Sequence, residues 1–91
     1  MRKLEISKSA LKNLNSLDAK QYRQVGRAIF ALLTNPEPHD SCVLEGATHG
    51  ERRKDVGEYR IIYSANEDVI DVRVVAKRND DAVYRQWERA R

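Results

Sequence analysis

Several residue types that constrain the class of a protein are scarce in this 91-residue chain. The single cysteine, Cys42, excludes an internal disulfide and could form a metal site only together with several other ligands. Two prolines and four glycines in a chain that is 41% hydrophobic argue against a disordered tail. No apolar run approaches the roughly 18–20 residues that span a bilayer, and the N-terminus lacks the apolar core of a secretory signal. We therefore expect one compact domain over residues 1–91, in the cytoplasm and without membrane contact.

The chain also lacks a large excess of charge of one sign. Seventeen Lys and Arg against fourteen Asp and Glu give a net charge of +3, which by itself is weak evidence for a nucleic-acid partner. Eleven of the seventeen basic residues are Arg, whose planar guanidinium suits bidentate contacts with phosphate.

The first half of the chain has helical periodicity after one short strand. Residues 3–7 alternate between polar and apolar and predict that strand, after which Ser7 is a helix N-cap. Asp18 caps a second helix that is expected to run to about Thr34. The apolar positions expected on the buried sides of the two helices are Leu11, Leu14, Leu17, Tyr22, Val25, Ile29, Leu32 and Leu33. Gly26, inside the second helix, predicts a close approach of the two helices.

The second half alternates with the period of strands. Residues 59–63 and 70–76 predict two strands joined by a loop at 64–68, and Val56-Gly57-Glu58 before them predicts a tight turn or bulge. Asn79-Asp80-Asp81 caps a last short helix, with Val83 and Trp87 on its buried side. Because helices and strands are segregated, the class is α+β: an antiparallel meander with a helical hairpin.

Common catalytic templates are missing. The sequence has no phosphate-binding glycine loop, no paired-cysteine zinc pattern and no nucleophile elbow. His39 and His49 fall in a predicted loop without ligand partners, and Cys42, beside Val43-Leu44, is expected to be a small buried hydrophobe. We therefore expect no metal and no cofactor.

Basic residues and a tyrosine in the second half remain as candidates. Arg60 lies inside an apolar strand, where a half-buried guanidinium requires either a carboxylate or an anionic ligand. Arg78 has the parity of the apolar positions 70, 72, 74 and 76, so the strand is expected to end and to place this guanidinium at the mouth of the sheet. For Arg60 and Arg78 a structural and a functional role stay equally open. Tyr84 has the spacing of a core residue of the last helix.

Two segments together resemble a known family. They are Arg52-Arg53-Lys54-Asp55-Val56-Gly57-Glu58-Tyr59-Arg60-Ile61-Ile62-Tyr63 and Val74-Val75-Ala76-Lys77-Arg78-Asn79-Asp80-Asp81-Ala82-Val83-Tyr84. Their order and spacing resemble the RelE/ParE superfamily of toxins from bacterial type II toxin–antitoxin systems, with Leu32–Pro36 and Leu44-Glu45-Gly46 as further similar positions. The resemblance implies a small curved antiparallel sheet, an N-terminal helical hairpin packed on one face and a short C-terminal helix.

The RelE-like branch, which cleaves messenger RNA in the ribosome, is more similar to this chain than the ParE-like branch, which inhibits DNA gyrase. The resemblance to that branch implies catalytic residues Arg53, Arg60, Arg78 and Tyr84, and RNA-binding residues Arg52, Lys54 and Lys77. It implies a cognate antitoxin, the ribosome and messenger RNA as partners, and it leaves a higher-order toxin–antitoxin complex open. Asp55 is a departure, since many relatives carry a basic residue there.

The candidate residues suit cleavage of RNA without a metal. The 2′-hydroxyl attacks the phosphorus, clustered guanidinium groups stabilise the phosphorane, and Tyr84 acts either as a base or as a stacking platform. Two alternatives stay open. In the first, the protein is a gyrase inhibitor and the same basic residues bind protein. In the second, it is an inactive relative, and Asp55 marks a decayed site.

Overall fold

The computed structural model describes residues 2–47 and 49–78, and these form two helices and five strands. The strands are β1 (Lys3–Ile6), β2 (Ser41–Val43), β3 (Arg52–Val56), β4 (Tyr59–Ala65) and β5 (Val69–Lys77). The helices α1 (Lys8–Asn15) and α2 (Ala19–Ala31) lie between β1 and β2 in the chain. The predicted last helix, from Asn79 onward, lies outside the described residues.

The five strands form one sheet in the order β1-β5-β4-β3-β2. The four strands from β2 to β5 pair antiparallel, as the predicted meander requires. β1 joins the β5 edge in parallel, with Lys3 opposite Val69 and Ile6 opposite Val72, so the sheet is mixed. The α+β class and the helical hairpin are confirmed. The first strand pairs in parallel and not antiparallel, and β2 lies in a segment that the sequence predicts to be a loop.

The helix N-caps are the ones that the sequence predicts. Ser7 Oγ accepts a hydrogen bond from Ala10 N at 3.1 Å, and Asp18 Oδ1 accepts one from Gln21 N at 2.9 Å. The second helix ends at Ala31 and continues as a turn through Thr34. Three residues separate the helices, which keeps them a hairpin on the sheet.

The hairpin covers one face of the sheet, which we call the helix face. Its core contains Ala10, Leu14, Val25, Ile29 and Leu32 from the helical part, and Ile61, Tyr63, Ile70, Val72 and Val75 from the strands. The opposite face, which we call the distal face, has a smaller buried cluster of Leu44, Ile62 and Val74.

Three expectations for apolar packing are wrong. Leu11 and Tyr22 are 44% and 45% exposed, although their spacing places them on the predicted buried sides. A Cβ built on Gly26 would meet no atom within 4 Å, so the two helices do not approach each other closely at this residue. The buried residues of α1 are Ala10 and Leu14 and those of α2 are Val25 and Ile29, so Leu11 and Tyr22 lie outside the buried stripe of their helices.

A register shift in β5 changes which of its side chains face the helices. Ile62 is opposite Val74, but Tyr63 is opposite Val72, so Arg73 is the extra residue of a bulge. Val75 therefore packs in the core of the helix face, while Val74 packs on the distal face. The expected common parity of positions 70, 72, 74, 76 and 78 is interrupted, and Arg78 belongs to the distal face with Val74.

The first helix is anchored to the backbone of β5 beyond the point where β1 stops. Ser7 Oγ donates to the Arg73 carbonyl oxygen at 2.7 Å, and Asn13 Nδ2 donates to the Val75 carbonyl oxygen at 2.9 Å. The side chains of the N-cap Ser7 and of Asn13 thus provide hydrogen-bond donors for two carbonyl groups of β5.

Neither described helix is long and apolar enough to cross a membrane.

Candidate functional site

The hairpin of β3 and β4 sets the geometry of the candidate site. Its loop is Gly57-Glu58, and Gly57 has a φ of 58°, a conformation that favours glycine. Val56 is then opposite Tyr59, and Asp55 is opposite Arg60. Asp55 and Arg60 therefore share the distal face, directly across from each other.

Asp55 and Arg60 form an ion pair with two hydrogen bonds. Arg60 Nε donates to Asp55 Oδ1 at 2.6 Å, and a terminal nitrogen donates to Oδ2 at 3.1 Å. The Arg60 side chain is only 12% exposed, and the small Ala76 lies opposite it on β5. The carboxylate thus meets the requirement for a partner that a half-buried guanidinium imposes.

Two further guanidinium groups approach the same carboxylate oxygen. Asp55 Oδ2 lies 4.0 Å from an Arg53 nitrogen and 3.8 Å from an Arg78 nitrogen. We call Arg53, Arg60 and Arg78 the arginine cluster. Arg78 is fixed at the end of β5, since its backbone N–H donates to the Glu58 carbonyl oxygen at 2.9 Å. The side chains of Arg53 and Arg78 are 36% and 53% exposed, so solvent reaches both.

The electrostatics of the cluster are dominated by these contacts. The hydrogen bond from Arg60 lowers the pKa of Asp55 below its usual value, and the positive charges of Arg60, Arg53 and Arg78 lower it further, while partial burial opposes them. Asp55 is therefore ionised at neutral pH. Three guanidinium groups less one carboxylate leave two positive charges, a suitable environment for a phosphate group.

The structure separates the remaining basic candidates from this cluster. Arg52 and Lys54 alternate with Arg53 along β3 and face the opposite way. Arg52 donates to Ser41 Oγ at 3.0 Å, and Lys54 Nζ lies 2.6 Å from Asp40 Oδ2. The hydrogen bond from Lys54 lowers the pKa of Asp40.

Lys77 is opposite Tyr59, whose hydroxyl lies 3.1 Å from Gln21 Oε1 of α2. This register places Lys77 on the helix face, away from Arg78. The geometry brings none of Arg52, Lys54 and Lys77 to the arginine cluster. The RNA-binding role of the three residues stays a prediction. Tyr84 lies outside the described residues.

The prediction that Cys42 is buried is wrong. Cys42 is exposed because it lies on β2, a three-residue strand at the edge of the sheet, opposite Arg53. In residues 2–47 and 49–78, no group of three His, Cys, Asp or Glu side chains is arranged to hold a metal ion.

The resemblance identifies Asp55 as a departure from the family pattern, and its pairing with Arg60 is not among the predictions. A signal for the pairing was present, because a two-residue loop at Gly57-Glu58 places residues 55 and 60 opposite each other. The sequence predicts a tight turn here, and the register that follows from a two-residue loop pairs Asp55 with Arg60.

Comparisons with known proteins agree with this fold. A family model described as the ParE toxin of the type II toxin–antitoxin system, parDE, matches residues 4–82. The archaeal RelE–RelB complex from Pyrococcus horikoshii contains a chain that is 31% identical, with a TM-score of 0.75, and the match covers 86% of this chain and 96% of that chain. No curated protein sequence gives a significant match.

Two less similar structures share the fold. A free-state double mutant of the Escherichia coli toxin RelE is 21% identical with a TM-score of 0.75, and the match covers 97% of this chain and 95% of that chain. A chain of the Mycobacterium tuberculosis RelBE2 complex is 18% identical with a TM-score of 0.70, with coverage of 85% and 98%.

Proposed function

This chain belongs to the ParE toxin family of type II toxin–antitoxin systems, within the RelE/ParE superfamily, and from its similarity to the chain of the archaeal RelE–RelB complex we propose that it is a ribosome-dependent endoribonuclease that cleaves messenger RNA. The observation that carries the proposal is the arginine cluster on the distal face. Arg53 and Arg78 come from different strands, remain partly exposed and converge on one point. Two guanidinium groups that converge in this way can bind the non-bridging oxygens of a phosphodiester.

The proposed reaction is a transesterification within the RNA. The 2′-oxygen attacks the adjacent phosphorus while its proton leaves, and the bond from phosphorus to the 5′-oxygen breaks. The products are a 2′,3′-cyclic phosphate and a 5′-hydroxyl that has gained a proton. Arg53 and Arg78 stabilise the negative charge of the phosphorane, and this kind of electrostatic stabilisation is usually the largest contribution to catalysis.

Arg60 and Tyr84 are assigned other roles in the proposed reaction. Arg60 is a positioning residue in this proposal, because its guanidinium is already engaged by Asp55. Tyr84 is assigned to proton transfer or to stacking on a base, as the resemblance implies. A site of modest chemical power suits an enzyme whose RNA is held in place by the ribosome. The family also makes a cognate antitoxin the expected protein partner.

In vitro translation with toeprinting tests the proposal. The purified chain should produce new cleavage stops within the codon in the ribosomal A site, and Arg78→Ala should remove them. If Tyr84 transfers a proton, Tyr84→Phe should cleave about 10²–10⁴-fold more slowly. If its ring only stacks, Phe should cleave nearly as fast as Tyr, and Ala should fail. The absence of any stop with the wild-type chain would contradict the proposal.

A gyrase-directed inhibitor is the second candidate. It is favoured by the family model, whose description names the ParE toxin of parDE, and by Asp55, which reduces the charge available for phosphate. A DNA supercoiling assay with purified gyrase separates the two functions. Inhibition of supercoiling together with unaffected translation would establish the second.

A further inference from the structure

Asp55 is positioned to compete with any anion that the arginine cluster binds. Its Oδ2 atom is within 4.0 Å of nitrogen atoms from both Arg53 and Arg78. These are the guanidinium groups that solvent can reach, and the point on which they converge is where a ligand phosphate would lie. The carboxylate is 32% exposed, so it borders the same solvent-facing region.

The carboxylate is held in this place by a group that is itself fixed. Arg60 lies directly opposite Asp55 on the neighbouring strand, and its two hydrogen bonds orient both carboxylate oxygens. A ligand phosphate can attract Arg53 and Arg78 away from Asp55, whereas the largely buried Arg60 remains on the carboxylate.

We propose that Asp55 acts as an internal anion that occupies the phosphate position of the arginine cluster and weakens its affinity for RNA. The inference rests on the proposed function and deepens it, because it concerns regulation of the same site. A phosphate bound at Arg53 and Arg78 experiences repulsion from the fixed carboxylate a few ångströms away. Free RNA in solution therefore binds weakly.

This weak binding has a consequence for the choice of substrate. RNA held against the site by a larger assembly has a high effective concentration, which offsets a low intrinsic affinity. Asp55 would thus restrict the site to RNA that the ribosome presents and protect free RNA from the toxin.

The test measures binding rather than cleavage. Fluorescence anisotropy with a short labelled single-stranded RNA compares the purified wild-type chain, Asp55→Asn and the control Asp71→Asn. Asn at position 55 keeps an oxygen that can accept the Arg60 hydrogen bond but removes the negative charge. Asp71→Asn makes the same change of net charge near the other end of β5, where Asp71 lies 3.0 Å from Arg73.

We expect Asp55→Asn to bind the RNA about tenfold or more tightly than Asp71→Asn. Equal affinity of the two variants would overturn the proposal, because it would reduce the effect to net charge. Circular dichroism checks the fold, and Asp55→Ser replaces Asp55→Asn if the latter does not fold. If neither folds, the carboxylate is a structural requirement and the proposal is wrong.

A parallel cleavage assay on programmed ribosomes distinguishes this inference from the proposed function. Tighter RNA binding by Asp55→Asn, without cleavage by any form, would support the role of Asp55 and contradict the ribonuclease. Cleavage by the wild-type chain, without tighter binding by Asp55→Asn, would leave the ribonuclease in place and overturn the role of Asp55.

Discussion

Asp55 and Arg60 stand directly opposite each other on β3 and β4, and the carboxylate accepts two hydrogen bonds from the guanidinium, at 2.6 and 3.1 Å. The arginine is largely buried, while the aspartate is partly exposed. The pair therefore links the stability of the hairpin to the charge of the candidate site.

Removing one member of this pair should leave the other without its main partner. We expect Arg60→Ala to lower the free energy of unfolding by about 1–3 kcal/mol, between the values for exposed and buried ion pairs. The double variant Arg60→Ala with Asp55→Ala should lose less than the sum of the single variants. Urea denaturation of all four forms at neutral pH measures this coupling, and strictly additive losses would contradict it.

The lowered pKa of Asp55 predicts the pH dependence of stability. A carboxyl group whose pKa is lower in the folded state stabilises the fold fully above its unfolded value, 3.8, and loses this contribution as the pH falls through the folded value. The wild-type chain should therefore lose more stability than Asp55→Asn between neutral pH and about pH 3. Urea denaturation at the two pH values checks this, and parallel losses would count against the ion pair.

Arg78 and Arg73 lie on the same strand and offer a matched pair for the candidate site. Arg78→Ala should reduce single-turnover cleavage on programmed ribosomes by about 10²–10³-fold, the usual effect of removing one preorganised donor. Arg73→Ala removes the same group at the β5 bulge, beside Asp71, and should cleave at nearly the wild-type rate. Similar losses in both variants, or an unfolded Arg78→Ala, would remove Arg78 from the catalytic role.

Two glycines should respond in opposite directions to the same substitution. Gly57→Ala places a Cβ at a φ of 58° and should destabilise the fold by about 1–2 kcal/mol. The nearest atom to that Cβ would be 3.7 Å away, so the loss comes from the backbone and not from a clash. Gly26→Ala, in a helix with open space around the site, should stabilise by up to about 1 kcal/mol. Thermal denaturation of both variants measures the two changes in stability. A destabilised Gly26→Ala would indicate that the two helices do approach each other closely at this residue.

Ser7 has two roles, whereas Asp18 provides only an N-cap among the contacts described. Ser7→Ala removes the cap of α1 and also the hydrogen bond to the Arg73 carbonyl group. We expect a loss of about 1–2 kcal/mol for Ser7→Ala and about 1 kcal/mol for Asp18→Ala. Chemical denaturation compares the two, and an equal loss would show that the bond to β5 contributes little.

The sequence determined the elements whose signals lie within a few residues of one another. The N-caps Ser7 and Asp18 begin their helices, and Gly57 turns the β3–β4 hairpin. Each of these signals acts through a hydrogen bond or a backbone angle that involves only residues close in sequence. The α+β class followed from the order of such elements, and the requirement of Arg60 for an anionic partner followed from its apolar surroundings.

Only the tertiary structure decided where these elements meet. The parallel pairing of β1 with β5 depends on contacts between residues more than sixty positions apart in the sequence. The bulge at Arg73 moved Arg78 to the distal face, because one extra residue reverses the faces of all side chains beyond it. The sequence therefore determined that arginines are available for a site. The strand register determined that Arg53, Arg60 and Arg78 meet around Asp55. It also determined that Arg52 and Lys54 face away from this group. The alternation of side chains along one strand is a local property. Which of the two faces of the sheet a given side chain lies on is set by packing over the whole domain.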